Sequence, residues 1–135
     1  MKNKKIIGIG TDIVNVKRIE TIFKKYGDKF LSKNFHELEI VDFKNLPEHK
    51  KLGYLAKRFA AKEALVKAIG TGFRNNISMT DMEIFNDKLG KPYYVLNQKL
   101  TDFIHQMTIN EKFVTHLSLS DEYPIAAAFT IIEKL

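Results

Sequence analysis

The 135-residue chain contains no cysteine, which excludes disulfides, thiolate metal sites and cysteine nucleophiles. It also has no run approaching the roughly 20 apolar residues that a membrane span needs. The start, Met1-Lys2-Asn3-Lys4-Lys5-Ile6-Ile7, has the basic charge of a signal peptide. Gly8, Gly10 and Asp12 interrupt the apolar stretch that follows too early for a signal-peptide core. No linker, internal repeat or low-complexity segment divides the sequence, so one domain over residues 1–135 is expected, with the cytoplasm as its compartment. Acidic residues are in short supply: 16 Asp plus Glu against 22 Lys plus Arg give a net charge of +6. That excess favours an acidic partner, whether nucleic acid, anionic membrane, phosphorylated small molecule or acidic protein. Hydrophobic content of 44% and charged content of 28% suit a globular protein with a sizeable core.

One stretch organises the rest: Arg58-Phe59-Ala60-Ala61-Lys62-Glu63-Ala64-Leu65-Val66-Lys67-Ala68-Ile69, closed by Gly70-Thr71-Gly72. It consists of strong helix formers and ends at a glycine. At helical spacing Leu55, Phe59, Val66 and Ile69 share one side, while Ala60, Ala61, Ala64 and Ala68 form a smooth opposite face that another backbone can approach. A helix apolar on both sides is a core helix. Lys62 projects into the larger apolar face and Glu63 lies at the seam, and buried charges require partners. A plainer alternative is a helical ion pair between Glu63 and Lys67, four apart in the favourable order, with Arg58 and Lys62 keeping their heads in water.

The order of elements reads as α+β. Ile6 to Val14 alternates as a strand with Ile7, Ile9 and Ile13 on one face and Gly8, Gly10 and Asp12 on the other. The bare glycine face is one that a ligand could approach, with Asp12 standing over it. Asn15 is placed to cap a helix from Val16 to Tyr26, stopped by Gly27 and carrying Lys17, Arg18, Lys24 and Lys25 on its outer side. Phe30 to Phe35 suggests a short helical turn, and His36 to Leu46 a helix. Pro47 leads into the central helix, despite Gly53. Met82 to Phe85 and Pro92 to Leu96 are strands joined by the turn Asn86-Asp87-Lys88-Leu89-Gly90-Lys91. A helical face of Leu96, Leu100, Phe103, Ile104 and Met107 follows. Phe113 to Ser120 is a strand, with His116 expected to face inwards. Ile125 to Glu133, apolar on both faces, is expected to be the central strand.

Asp12 and Glu63 are then the two carboxylates placed for chemistry. Oxygen ligands without cysteine or clustered histidine suit a hard cation such as Mg²⁺, which takes one or two carboxylates and completes its shell with water and phosphate oxygens. Arg58, Lys62 and Lys67 offer positive charge, and the Gly70-Thr71-Gly72 turn offers backbone N–H groups, to a phosphate-bearing substrate.

Gly8-Ile9-Gly10-Thr11-Asp12-Ile13-Val14 with Arg18-Ile19 resembles the N-terminal signature of the holo-[acyl-carrier-protein] synthases. Arg58 to Ala64 with Lys67-Ala68 and Gly70-Thr71-Gly72 resembles their central signature, and Gly90-Lys91-Pro92 and His116-Leu117-Ser118-Leu119-Ser120 their C-terminal ones. The match runs in order over nearly the whole chain. It implies the 4′-phosphopantetheinyl transferase fold, an antiparallel sheet packed with helices. The implied reaction is transfer of phosphopantetheine from coenzyme A to a serine of apo acyl carrier protein in fatty acid biosynthesis, releasing adenosine 3′,5′-bisphosphate. By resemblance Asp12 and Glu63 bind Mg²⁺, and Arg58, Lys62, Lys67, Gly70, Thr71, Gly72, Lys91, Pro92 and Ser118 meet coenzyme A. Glu63, or water on the metal, takes the serine proton, while Lys62 or Lys67 stabilises the leaving group. Lys17, Arg18, Ile22, Lys24 and Lys25 dock the acidic carrier, and the assembly is a homotrimer with coenzyme A at its subunit interfaces. Asp121 departs from the pattern, since some members carry histidine there. A non-catalytic basic RNA-binding module is the alternative, but aromatics interleaved with Lys and Arg are not evident; neither nucleic acid nor membrane is an expected partner.

Overall fold

The computed structural model describes residues 4–135. Strand β1 (Ile6–Asn15) passes directly into helix α1 (Val16–Tyr26). The Asn15 side chain accepts the Lys17 N–H at 2.9 Å and so caps the first turn. Gly27 ends α1 at φ 54°, as the sequence suggests. Helix α2 (Asp28–Asn34) forms where the pattern suggests a short helical turn, and Phe30 and Leu31 within it and Phe35 at its end are buried. Helix α3 (Glu37–Lys44) is shorter than its apolar pattern, and α4 (Glu48–Ile69) runs unbroken for 22 residues through Gly53.

A 3-10 turn (Met79–Asp81) leads to the hairpin of β2 (Met82–Asn86) and β3 (Pro92–Leu96). The Asp87 carboxylate shapes its turn by accepting the Leu89 and Lys91 N–H groups, each at 2.9 Å. Helix α5 (Gln98–Met107) and strands β4 (Phe113–Glu122) and β5 (Ile125–Lys134) complete the chain. The main sheet is antiparallel in the order β1-β5-β4, with β5 central as its two apolar faces require, and β2-β3 forms a second small sheet. Helices packed on antiparallel strands make this the expected α+β architecture. Among the described residues no helix is long and apolar enough to cross a membrane.

The position of α4 is set by glycine on one side and alanine on the other. A Cβ placed on Gly8 would lie 1.8 Å from the Ala68 carbonyl oxygen, and one on Gly10 would lie 1.8 Å from that of Ala64. The bare strand face therefore receives the alanine face of the helix, and the expectation of a ligand over the glycines is corrected: the approaching backbone belongs to α4. Ala126, Ala128, Thr130 and Ile132 of β5 are buried on the same inner side. The outer side of the sheet carries Ile9, Ile13, Ile125 and Phe129, all exposed. His116 lies on this outer side too, half-exposed, with Nε2 3.0 Å from a Glu133 carboxylate oxygen. The inward-facing histidine expected from the pattern is corrected, because β4 turns the His116, Ser118 and Ser120 side away from α4.

Candidate active site

Two residues beyond Gly10, on the same strand face, stands Asp12. The Lys67 ammonium, from the last turns of α4, lies 3.0 Å from its Oδ1. Glu63, one turn before Lys67, is half-buried, and it holds its proton above the usual carboxylate range because burial and the nearby Asp12 charge disfavour ionisation, partly offset by Lys67 and Arg18. Lys67 thus pairs with Asp12, across from the strand, instead of forming the Glu63–Lys67 pair within the helix. Arg18 is also part of this corner: its guanidinium sits 6.0 Å from the Phe59 ring centroid and its charge reaches Glu63.

Among the described residues no group of three or more His, Asp or Glu side chains is placed to hold a metal ion, so the carboxylates come as this pair. Two carboxylates in mutual repulsion, one of them half-buried, fit a cation that keeps most of its shell for water and phosphate. Asp12 and Glu63 are the residues that could hold it.

Lys62 does not join them. Its ammonium is fully buried and donates to Glu39 Oε1 at 2.6 Å, Asn34 O at 2.9 Å and Met79 O at 2.9 Å, with the Phe35 ring 5.0 Å away. Three acceptors require three N–H donors, hence the charged form, although burial pulls its proton affinity down against the support of Glu39. Glu39 is equally buried and also accepts the His36 N–H at 3.0 Å and the Ile84 N–H at 3.0 Å. The expectation that Lys62 contacts coenzyme A or the leaving group is corrected: its donors are all committed inside the protein.

Arg58 faces elsewhere again. Five residues before Glu63, it lies about 140° around the helix from it, and it lines a cavity of about 770 Å³ together with Lys50, Gly53, Lys57, Pro92 and Asp121. That volume is within the usual range for small-molecule sites, and none of Asp12, Glu63 or Lys67 borders it. Arg58 stacks on Tyr54 at 3.8 Å and donates to Asn86 Oδ1 at 2.8 Å, while its buried Nε has no partner. Burial pushes the Tyr54 phenol up to about 12, against the pull of Arg58. Asp121 lies 3.8 Å from the Lys57 ammonium at this cavity.

The remaining candidates spread out. The Gly70 N–H closes α4 on Val66 O at 3.0 Å, which leaves only Thr71 and Gly72 of that turn to offer amides. Lys91 is exposed in the hairpin turn, Pro92 lines the Arg58 cavity, and Ser118 lies on the outer sheet face beside His116. On α1, Lys17, Arg18, Lys24 and Lys25 are exposed and Ile22 is half-buried among them. Glu39 has no local signature, since its partner is 23 residues away. The cavity stripe could have been found: Lys50, Gly53, Tyr54, Lys57 and Arg58 recur at three- and four-residue intervals.

The chain resembles known proteins over nearly its whole length. The model of the 4′-phosphopantetheinyl transferase superfamily matches residues 8–128. A holo-[acyl-carrier-protein] synthase of a Wolbachia species from Brugia malayi is 48% identical over 128 residues, 94% of this chain and 95% of that protein. The crystal structure of the Neisseria meningitidis holo-[acyl-carrier-protein] synthase superposes with a TM-score of 0.86 at 40% identity, covering 96% of this chain and 99% of that one. The Helicobacter pylori holo-[acyl-carrier-protein] synthase, solved in complex with coenzyme A, does so with 0.77 at 30% identity, over 92% and 98%. With the family model spanning nearly the whole chain and the relatives matching end to end, the chain belongs to the 4′-phosphopantetheinyl transferase superfamily, in its holo-[acyl-carrier-protein] synthase branch.

Proposed function

We propose that this chain transfers the 4′-phosphopantetheine group of coenzyme A to a serine of apo acyl carrier protein, with Mg²⁺, and releases adenosine 3′,5′-bisphosphate. The observation that carries this reading is the meeting of Asp12, Glu63 and Lys67, two carboxylates and an ammonium brought together from β1 and α4. The likeness to a coenzyme A-bound relative supports the donor.

Asp12 and Glu63 would hold the metal, which when bound neutralises the pyrophosphate and the charge growing on the bridging oxygen. Lys67, half-exposed beside Asp12, would offer its ammonium to a phosphate oxygen of the substrate. The serine oxygen attacks the phosphorus that bears pantetheine, and the bond to the bridging oxygen breaks. Glu63 is the carboxylate of this chain that would take the serine proton. Thr71 and Gly72 lie just past the end of α4, beyond Lys67, where their amides can meet the same phosphates.

The acyl carrier protein docks on α1, where Lys17, Arg18, Ile22, Lys24 and Lys25 form a basic surface and Arg18 leads from it to Glu63. The chain works as a homotrimer in the cytoplasm. Two features support assembly: the exposed apolar outer side of the sheet, and the placement of Arg58 and Glu63 on different sides of one helix. The Arg58 cavity, with Pro92 and nearby Lys91, then serves the nucleotide end of a coenzyme A whose pyrophosphate lies at the carboxylates of a neighbouring copy. Ser118 lies on the face where copies meet.

The test is direct: incubation with coenzyme A, Mg²⁺ and apo carrier protein, followed by intact-mass measurement. A carrier heavier by one phosphopantetheine is expected, and an unmodified carrier at high enzyme concentration would overturn the reading. Sedimentation of a fully active monomer would remove the trimer.

A further inference from the structure

We infer that the buried Lys62–Glu39 ion pair is a positioning device for Glu63, holding α4 at the rotation and height that bring the Glu63 carboxylate to Asp12. The inference rests on the reading of Asp12 and Glu63 as a cation site.

Glu63 has a fixed neighbour on each side in sequence. On one side Ala64 presents its carbonyl to the bare face of Gly10, a contact that sets how close the helix lies to β1. On the other side Lys62, about 100° around the helix, is held by three acceptors in different directions: the end of α2, Glu39 in α3, and Met79 in the 3-10 turn. Glu39 is itself fixed by the His36 and Ile84 amides, so α3 and β2 are tied into the same knot. Directional bonds from several elements resist rotation as packed methylenes do not. The Tyr94 hydroxyl, donating to Ala61 O at 2.6 Å, adds a further peg one residue earlier.

An apolar pair of similar volume can fill such a space with equal or greater stability. The ionic pair is therefore better explained by geometry than by stability. Metal-binding carboxylates need placement within about 0.5 Å, and misplacement by about 1 Å can cost on the order of 10²-fold in rate.

The test uses the full chain carrying Lys62→Met with Glu39→Gln, which removes both charges together and leaves an amide oxygen for the Ile84 or His36 N–H. Circular dichroism and thermal melts establish that it folds. Mn²⁺ binding to the enzyme without substrates, followed by electron paramagnetic resonance, is expected to weaken about tenfold, as for lost supporting contacts around a metal. The kcat is expected to fall by at least that factor, while KM for the carrier stays within about twofold. A pair that serves only the fold would lower the melting temperature and leave Mn²⁺ affinity and kcat per folded molecule within about twofold of the parent, which would overturn the inference. If the double variant does not fold, Glu39→Gln alone, which keeps the shape, is measured the same way. If neither folds, the pair is a requirement of the fold and the inference fails. A parent protein that binds no Mn²⁺ and transfers nothing refutes the cation site itself, and the positioning role with it.

Discussion

Gly10 and Ala64 touch backbone to backbone: any side chain on Gly10 would occupy the space of the Ala64 carbonyl, 1.8 Å from a Cβ. The strand and the helix that carry Asp12 and Glu63 are therefore as close as two main chains can pack.

Gly10→Ala should consequently destabilise the protein by about 3 kcal/mol, since neither backbone can give way cheaply. Denaturant titration checks this; a loss below about 0.5 kcal/mol would show that the contact is looser than described.

Gly53 is the opposite case. It lies in the second turn of α4 with nothing within 4 Å of an added Cβ, and it lines the Arg58 cavity. Gly53→Ala should raise stability by about 1 kcal/mol through helix propensity. It should also raise KM for coenzyme A while leaving KM for the carrier unchanged. A stability gain with unaltered coenzyme A kinetics would separate this cavity from the donor site.

Glu63→Gln should abolish transfer and yet raise the melting temperature of the metal-free protein at pH 7. An acid whose proton affinity is raised by folding weakens the folded state above its folded pKa, and that weakening disappears as pH falls below the unfolded value. The advantage of Glu63→Gln should therefore shrink on acidification into the carboxylate range, as melts from pH 7 to pH 3 can record. Added Mg²⁺ should stabilise the parent and not the variant. A variant less stable than the parent at pH 7 would contradict the cause assigned to the Glu63 shift.

Much of this frame was legible because local physics fixed it. The α1 boundaries followed from Asn15, Gly27 and the apolar stripe between them, and the central place of β5 from its two apolar faces. The meeting of Gly8 and Gly10 with Ala64 and Ala68 was half legible: the smooth helix face and the bare strand face were both visible, but not that they were made for each other. Helix α2 was too short to display a period. Glu39 was hidden because its burial depends on a lysine 23 residues away and on β2, 45 residues away, and no local pattern records such distances.

Arg18→Glu combined with Lys25→Glu should raise KM for the carrier severalfold with little change for coenzyme A. Single exposed pairs contribute on the order of 1 kcal/mol or less, but a basic cluster facing an acidic partner mainly speeds association, and salt screens it. The gap between variant and parent should narrow as salt is added. Equal damage to both substrates would mean that α1 is not the docking surface.

The placement of Arg58 and Glu63 on different sides of α4 also bears on what happens when two dead enzymes are blended. If each catalytic centre draws Glu63 from one copy and Arg58 from the next, Arg58→Ala and Glu63→Gln are each inert alone. Denatured together in equal amounts and refolded, they should yield rings in which about a quarter of the centres carry both intact residues. Activity emerging from two inactive preparations would mean that the working unit is the seam between copies, and that a mutation in one gene copy is partly masked by a different mutation in another.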